Sequence, residues 1–314
     1  MSEPRGASGL ALSTIWRSSR LRDGAALLQA LEETGLLALE LEYRVTEETF
    51  SQMRPALRKG ALSVRSVHNY FPVPDILRPD QAGGDAFPLS CPDPDVVRLA
   101  LRYSLKTIEL ASDLGARAVV LHLGRVEIEE PMEEIKRMYR EGLASSQEYG
   151  QLLSSFREQR EARKQVYLDT VRKNLETLAR RAEQLGVLLG LENRYYFREI
   201  PTFEEMGTLL REFSGAPIGY WHDVGHAAVQ ENLGWGYQQD WLEAYGGTLV
   251  GIHLHDVTGY EDHLAPLQGE VRFETILASL NESAVRVLEL RPEVPLEAVL
   301  EGIDHIERLC TRKH

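Results

Sequence analysis

Eight short apolar runs alternate with amphipathic segments along this chain of 314 residues, and no other feature constrains its fold so strongly. The runs are residues 9–14, 36–43, 62–69, 117–124, 187–194, 217–223, 248–256 and 284–291. Short apolar runs that are separated by helical segments indicate parallel βαβ units. Eight such units predict an α/β fold in which one domain, residues 1–314, forms a closed (β/α)₈ barrel. A doubly wound sheet with the same number of strands is the alternative that periodicity leaves open.

The segments between the runs carry helix boundary signals. One helix is expected to begin at Pro94, directly after Asp93, and to end before Gly115. Another has apolar residues three and four positions apart and is expected to end before Gly186. Proline in the first turn and glycine just past the last turn are typical of helix ends.

Two connections are much longer than the others, and both follow a predicted strand. Residues 70–95 are rich in proline, glycine and aspartate, which predicts an irregular loop. Residues 125–165 are strongly charged and predict a helical insertion after the fourth strand, with a break at 142–146. Loops that follow barrel strands lie over the face where active sites are built, so both insertions are expected to cover the mouth of the barrel. A solvated arm or a contact between subunits is an equally good interpretation of the second insertion.

Composition and charge narrow the classes of partner. The net charge of −13 argues against nucleic acid, which binds basic surfaces. Cys91 and Cys310 form no C-x-x-C motif, so we expect a reducing compartment and no disulfide framework. The first residues lack the apolar core of a signal peptide, and no apolar run reaches membrane-spanning length. We therefore expect a cytoplasmic protein that does not act at a membrane.

Histidines and carboxylates collect where the predicted strands end. Seven of the nine histidines lie at the end of a predicted strand or in the loop directly after it: His68, His122, His222, His226, His253, His255 and His263. Five carboxylates also lie on predicted strands: Glu40, Glu42, Glu192, Asp223 and Glu289. The carboxyl ends of parallel strands meet at one face of a barrel, so these side chains are expected to converge. His222 is the exception, because its parity opposite to Asp223 directs it towards the helices.

This convergence favours a metal site. A charged side chain within an apolar strand is costly unless it is paired or binds a metal. Carboxylate and imidazole together suit a borderline cation such as Zn²⁺ or Mn²⁺, with Mg²⁺ or Co²⁺ as further candidates. Any one of these residues could instead form a core ion pair with Arg65, Arg117, Arg194 or Arg291. Ion pairs of this kind do not account for the whole set.

The motifs at these positions, in their order along the chain, resemble the xylose-isomerase-like TIM barrels. They are HNY at His68, HLG at His122, LEN at Glu192, DVGH at Asp223, HLHD at His253, EDH at Glu261 and LEL at Glu289. That superfamily joins sugar isomerases and epimerases to the endonuclease-IV-type AP endonucleases. The resemblance extends from the first predicted strand to the last predicted helix and fails only over residues 125–165.

The resemblance implies two different metal sites. The resemblance to the sugar isomerases and epimerases implies one divalent ion, bound by Glu192, Asp223, His253 and Glu289. Glu192 and Glu289 would also move the substrate proton. The endonuclease side implies three zinc ions and adds as ligands His68, His122, His226, Glu261 and His263. Glu261 departs from that pattern, which has aspartate there. In an isomerase, the additional histidines would contact substrate hydroxyls.

We therefore expect a divalent-metal-dependent isomerase or epimerase of a sugar or sugar phosphate. Arg291 is expected to hold a substrate oxygen or phosphate, since it shares the parity of Glu289, and His255 to contact the substrate. The alternative is a multinuclear zinc phosphodiesterase, and a barrel that only binds sugar is a third hypothesis. The expected partner is a small-molecule sugar, and a homo-oligomer is compatible with the sequence.

Overall fold

Eight parallel strands form one closed barrel in the computed structural model, which describes residues 9–60 and 62–311. The barrel strands are β1 (Leu10–Ser13), β2 (Ala38–Leu41), β3 (Ser63–His68), β4 (Ala118–Leu121), β5 (Leu188–Glu192), β6 (Ile218–Asp223), β7 (Leu249–Leu254) and β10 (Val285–Leu288). Strands β8 (Asp256–Thr258) and β9 (Glu261–Leu264) form an antiparallel hairpin after β7. The predicted (β/α)₈ barrel is confirmed. The doubly wound alternative is wrong, because β1 pairs with both β2 and β10.

Helices follow the strands and surround the barrel. They are α1 (Ile15–Ser18), α2 (Gly24–Glu32), α3 (Glu47–Arg58), α4 (Pro94–Asp113), α5 (Met132–Arg140), α6 (Gln147–Arg163), α7 (Gln165–Leu185), α8 (Phe203–Glu212), α9 (Val224–Asn232), α10 (Gln238–Tyr245), α11 (Phe273–Ala278) and α12 (Leu296–Thr311). Asp93 caps α4 by accepting a hydrogen bond from the Asp95 backbone N–H, and Gly186 ends α7 in the left-handed conformation. The helix boundaries predicted from proline and glycine are thus confirmed. Within residues 9–60 and 62–311, no helix is both long and apolar enough to cross a membrane.

Trp221 fills the interior of the barrel and supports the site above it. Its ring is fully buried among small residues that point inwards from the neighbouring strands, such as Ala118. A Cβ atom at Gly190 or Gly251 would come within 3 Å of the indole, so these two strands need glycine beside it. The indole also approaches the His253 ring, with 5.0 Å between ring centroids. The apolar filling therefore ends where the polar residues begin.

The insertion after β4 contains two helices, α5 and α6, separated by residues 141–146, where the sequence predicted a break. One face of α6 is buried through Tyr149, Leu153, Phe156 and Arg160. This packing shows that the interpretation of α6 as a solvated arm is wrong. The loop between β3 and α4 contains only a short 3₁₀ turn, Pro79–Gln81, as its composition predicted.

Candidate active site

The carboxyl ends of the barrel strands surround a cavity of about 630 Å³. Its wall includes seven of the predicted site residues: His68, His122, Glu192, His226, Glu261, His263 and Glu289. Asp223 and His253 are fully buried beside this wall. The structure thus places side chains from β3 to the end of β10 around one space, although His68 and Glu289 are far apart in the sequence.

Four of these side chains meet around one imidazole nitrogen. His253 Nδ1 lies 2.7 Å from Glu192 Oε1, 3.0 Å from Glu289 Oε2 and 3.6 Å from Asp223 Oδ2. Ligand atoms from all four residues lie within 4.8 Å of one another. Three carboxylates and one imidazole at this spacing form a donor set that fits a divalent cation.

Two further groups of the same chemistry flank the central one, and a third, Asp223, His255, His263 and Glu289, overlaps it. His122 Nε2 lies 2.7 Å from Glu192 Oε2, and His68 Nε2 lies 3.7 Å from the same oxygen. On the other side His226, Asp262 and His263 bring their ligand atoms together. Glu192 belongs to both the central group and the first flanking group, so neighbouring cations at this site would share a carboxylate.

The flanking histidines are held in one orientation by hydrogen bonds from the ring nitrogen that faces away from the cavity. His68 Nδ1 lies 2.9 Å from the Asn69 carbonyl oxygen, and His226 Nδ1 lies 3.0 Å from the Asn193 carbonyl oxygen. His122 Nδ1 lies 3.0 Å from Asp85 Oδ2. An oxygen acceptor there keeps a proton on Nδ1, so Nε2 is the ring nitrogen that a cation would bind. This arrangement fits histidines that bind a cation.

His255, which was expected to contact the substrate, does not line the cavity. It is fully buried, with Nε2 3.0 and 3.1 Å from the two oxygens of Asp223. Its Nδ1 accepts a hydrogen bond from the His263 backbone N–H, so Nε2 carries the proton and donates it to Asp223. Gly225 packs against this ring so closely that a Cβ atom would lie 2.0 Å from it. His255 therefore orients a carboxylate from behind.

Glu261 belongs to the cavity wall, whereas Arg291 does not. The Glu261 side chain is 64% exposed at the rim, while the adjacent Asp262 approaches His226 and His263. Glu261 and Asp262 point to opposite sides of β9, because side chains alternate along a strand. The Arg291 guanidinium is 42% exposed and lies outside the cavity wall. Strand β10 ends at Leu288, so the parity used to place Arg291 does not extend to it.

Several further residues of the cavity wall were not predicted from the sequence, because they lie on loops and on the insertion. They are Tyr43, Asp85, Lys136, Tyr195, Tyr260 and Asp262. Arg194 was expected only as a core ion-pair partner. Arg194 contacts Glu192, Asp85 and Glu199 at 2.9–3.1 Å and so connects the central group to the long loop after β3.

Burial and neighbouring charges shift the pKa values of the titratable groups in opposite directions. Burial alone would raise the pKa of Glu289, but His253 and His263 outweigh it and lower the pKa to about 2. At Glu192, burial likewise raises the pKa and the neighbouring His122 and His253 lower it. The histidines outweigh burial, so the pKa of Glu192 lies well below its usual value. Burial and Arg194 would lower the pKa of His122, but Asp85 and Glu192 raise it to about 9. Both glutamates are therefore ionised at neutral pH.

His222 behaves as its parity predicted. It faces away from the cavity, with Nδ1 2.5 Å from the Tyr220 hydroxyl oxygen. Burial lowers the pKa of His222 to about 3, so it is neutral at physiological pH.

Together the fold and this geometry define a class of protein: a single-domain (β/α)₈ barrel that gathers histidines and carboxylates at the carboxyl ends of its strands. Residues 28–309 match the family described as xylose isomerase-like TIM barrel, and the chain belongs to that family. The resemblance inferred from the motifs is thereby confirmed. A comparison with curated proteins finds no match.

Solved structures share the fold at low identity. A D-tagatose 3-epimerase-like protein is 17% identical over 96% of this chain and 97% of its own, with a TM-score of 0.66. A 3-keto-D-glucoside 4-epimerase from E. coli is 12% identical over 96% of this chain and 99% of its own, also with a TM-score of 0.66. A Thermus thermophilus protein, from a structure soaked with ZnCl₂, is 24% identical over 95% of this chain and 97% of its own, with a TM-score of 0.57. These likenesses show the common architecture.

Proposed function

We propose that this chain is a sugar isomerase or epimerase that uses a divalent cation and moves a proton on a carbon next to a carbonyl. The observation that carries the proposal is the placement of Glu192 and Glu289. Both line the same cavity, and both approach Nδ1 of His253. Two ionised carboxylates that face one bound substrate can remove a proton from its carbon and return it. The sugar epimerases among the structural relatives support this reaction class.

The donor set for the cation is Glu192, Asp223, His253 and Glu289, and its chemistry suits Zn²⁺ or Mn²⁺. When bound, the cation supplies Lewis acidity that stabilises negative charge on the substrate oxygens. His68, His122 and His263 would position substrate hydroxyls, each through the ring nitrogen that faces the cavity. Tyr195 and Tyr260, which also line the cavity, would exclude water from the reacting carbon.

A multinuclear zinc phosphodiesterase is the second candidate, because two flanking groups could hold further cations. The shared carboxylate of Glu192 is the feature that favours it, since neighbouring metals in such enzymes lie about 3.5–4 Å apart. The net charge of −13 argues against a polyanionic substrate.

Metal content separates the two candidates. We predict that the purified protein binds one cation tightly and that His122→Ala retains it but loses turnover of a ketose or aldose, because substrate positioning is lost. Metal per chain is measured by elemental analysis after dialysis. His305→Ala, on α12 and outside every ligand group among the described residues, serves as the control. Two or three zinc ions per chain, one of which His122→Ala loses, would establish the phosphodiesterase instead.

A further inference from the structure

Two residues with fixed positive charge line the cavity, and their surroundings differ. Arg194 is buried against the carboxylates of Glu192, Asp85 and Glu199. Lys136 is half-buried, and within the described part of the chain no carboxylate oxygen lies within 4 Å of its Nζ atom. Lys136 therefore brings an unpaired, fixed positive charge to the cavity, whereas Arg194 is paired with three carboxylates.

Aromatic rings hold the Lys136 ammonium in place without neutralising it. Its Nζ atom lies 5.1 Å from the centroid of the Tyr260 ring and 5.6 Å from that of Tyr195, and both rings line the cavity. A cation–π contact attracts the charge but accepts none of the three N–H bonds in the way that an oxygen does. The ammonium thus keeps donors for a ligand.

We propose that Lys136 binds an anionic substituent of the substrate, either a phosphate or a carboxylate. The inference rests on the proposed function and names its substrate class: a sugar phosphate or a sugar acid. Glu192 and Glu289 repel an anion, so the substituent lies at the Lys136 end of the cavity and the reacting carbon at the other. Lys136 thereby takes the role that the sequence assigned to Arg291, which lies outside the cavity wall.

A purely structural role for Lys136, as a latch between α5 and the β8–β9 hairpin, is already filled by its neighbours. Arg140 donates a hydrogen bond of 2.7 Å to the Tyr260 hydroxyl. Tyr139 packs edge-on against the Tyr260 ring, with 6.0 Å between the ring centroids. Neither residue lines the cavity, so Arg140→Gln is a matched control that weakens the latch but leaves the cavity wall unchanged.

The test compares charged and neutral ligands of similar shape. Calorimetry measures the binding of fructose 6-phosphate against fructose, and of galacturonate against galactose, to protein loaded with Mn²⁺. In the wild type and in Arg140→Gln, we expect one charged ligand to bind about tenfold more tightly than its neutral partner, as for a hydrogen bond to a charged group. Lys136→Gln should abolish this ratio, and Lys136→Arg should retain most of it. The pair that shows the ratio distinguishes phosphate from carboxylate.

The same ratio in the wild type and in Lys136→Gln would overturn the proposal. So would an equal loss of charged and neutral ligands in both Lys136→Gln and Arg140→Gln, since that result assigns Lys136 to the latch. If no sugar binds at all, the proposed function fails, and inorganic phosphate then tests Lys136 independently. Phosphate that binds the EDTA-treated wild type but not Lys136→Gln supports the anion site, and absence of wild-type phosphate binding refutes it.

Discussion

Glu40 lies behind His253, outside the cavity wall, and fixes which ring nitrogen of that histidine serves as the ligand atom. Both oxygens of its fully buried carboxylate lie 3.2 Å from His253 Nε2, and Ser66 Oγ donates to it at 2.7 Å. A proton on Nε2 leaves Nδ1 as the ligand atom that faces Glu192 and Glu289. A carboxylate in this position also makes the imidazole more basic and so a stronger ligand. We infer that Glu40 is a positioning residue for the metal site.

Glu40→Gln is therefore predicted to weaken cation binding about 10- to 100-fold, because a neutral amide supports the imidazole less than a carboxylate does. The affinity is measured by competition with a chelator. Glu42→Gln is the matched control, since Glu42 lies on the same chain segment but its carboxylate contacts Ser18 and Arg44. Equal affinities in the two variants would show that Glu40 does not act through His253.

Residues at strand ends were predictable from the sequence, and residues beyond them were not. His68, Glu192 and Asp223 each end a strand, so the topology alone brings them to one face. Asp85 reaches His122 from an irregular loop, whose path the local sequence does not specify. Parity could not place Arg291 for a related reason, because Arg291 follows the end of β10 and alternation holds only inside a strand.

The insertion is attached to the barrel through α6, and Arg160 is its principal polar anchor. The guanidinium is fully buried, contacts both carboxylate oxygens of Glu205 on α8 at 2.6 and 2.8 Å, and donates to the Glu199 carbonyl oxygen. The Glu199 side chain in turn contacts Arg194 in the active site. Arg160 and Arg194, which both contact Glu199, thus connect α6 to the cavity wall.

Arg160→Met is predicted to destabilise the protein by about 3 kcal/mol, because it leaves the Glu205 carboxylate buried without its main partner. Urea unfolding measures the change. Arg157→Met is the control: Arg157 lies one turn earlier on the same helix and stacks on Phe197 and Trp235, a contact of about 1 kcal/mol. A loss for Arg160→Met no larger than that for Arg157→Met would contradict the role of Arg160 as anchor.

The buried face of α6 could have been recognised from the sequence. Tyr149, Leu153, Phe156 and Arg160 recur at intervals of four, three and four, which is the spacing of one helix face. The high charge of the segment hid this pattern, and the arginine inside it breaks the usual rule that buried faces are apolar. Its partner Glu205 is 45 residues away, so the pairing could not be read from the sequence.

Along the axis of the barrel, the interior changes from apolar side chains to the polar side chains of the cavity. Trp221 closes the interior, His253 and Glu40 lie above it, the carboxylates and histidines of the cavity follow, and α5 borders the opening through Lys136. Alternation of strands and helices sufficed to predict the barrel and the end that carries the site. The assignment of each ligand to the central or a flanking group depends on distances that only the three-dimensional structure supplies.

Exchange of substrate hydrogen with solvent tests the central claim, proton transfer by Glu192 and Glu289. The Mn²⁺-loaded protein is incubated in D₂O with pentoses, hexoses and their phosphates, and deuterium in the sugar is followed by NMR. We predict deuterium on the carbon next to the carbonyl in at least one sugar, with a rate that falls at least ~100-fold in Glu289→Gln. Exchange that persists unchanged in Glu289→Gln, or hydrolysis of a phosphodiester without any exchange, would contradict the account.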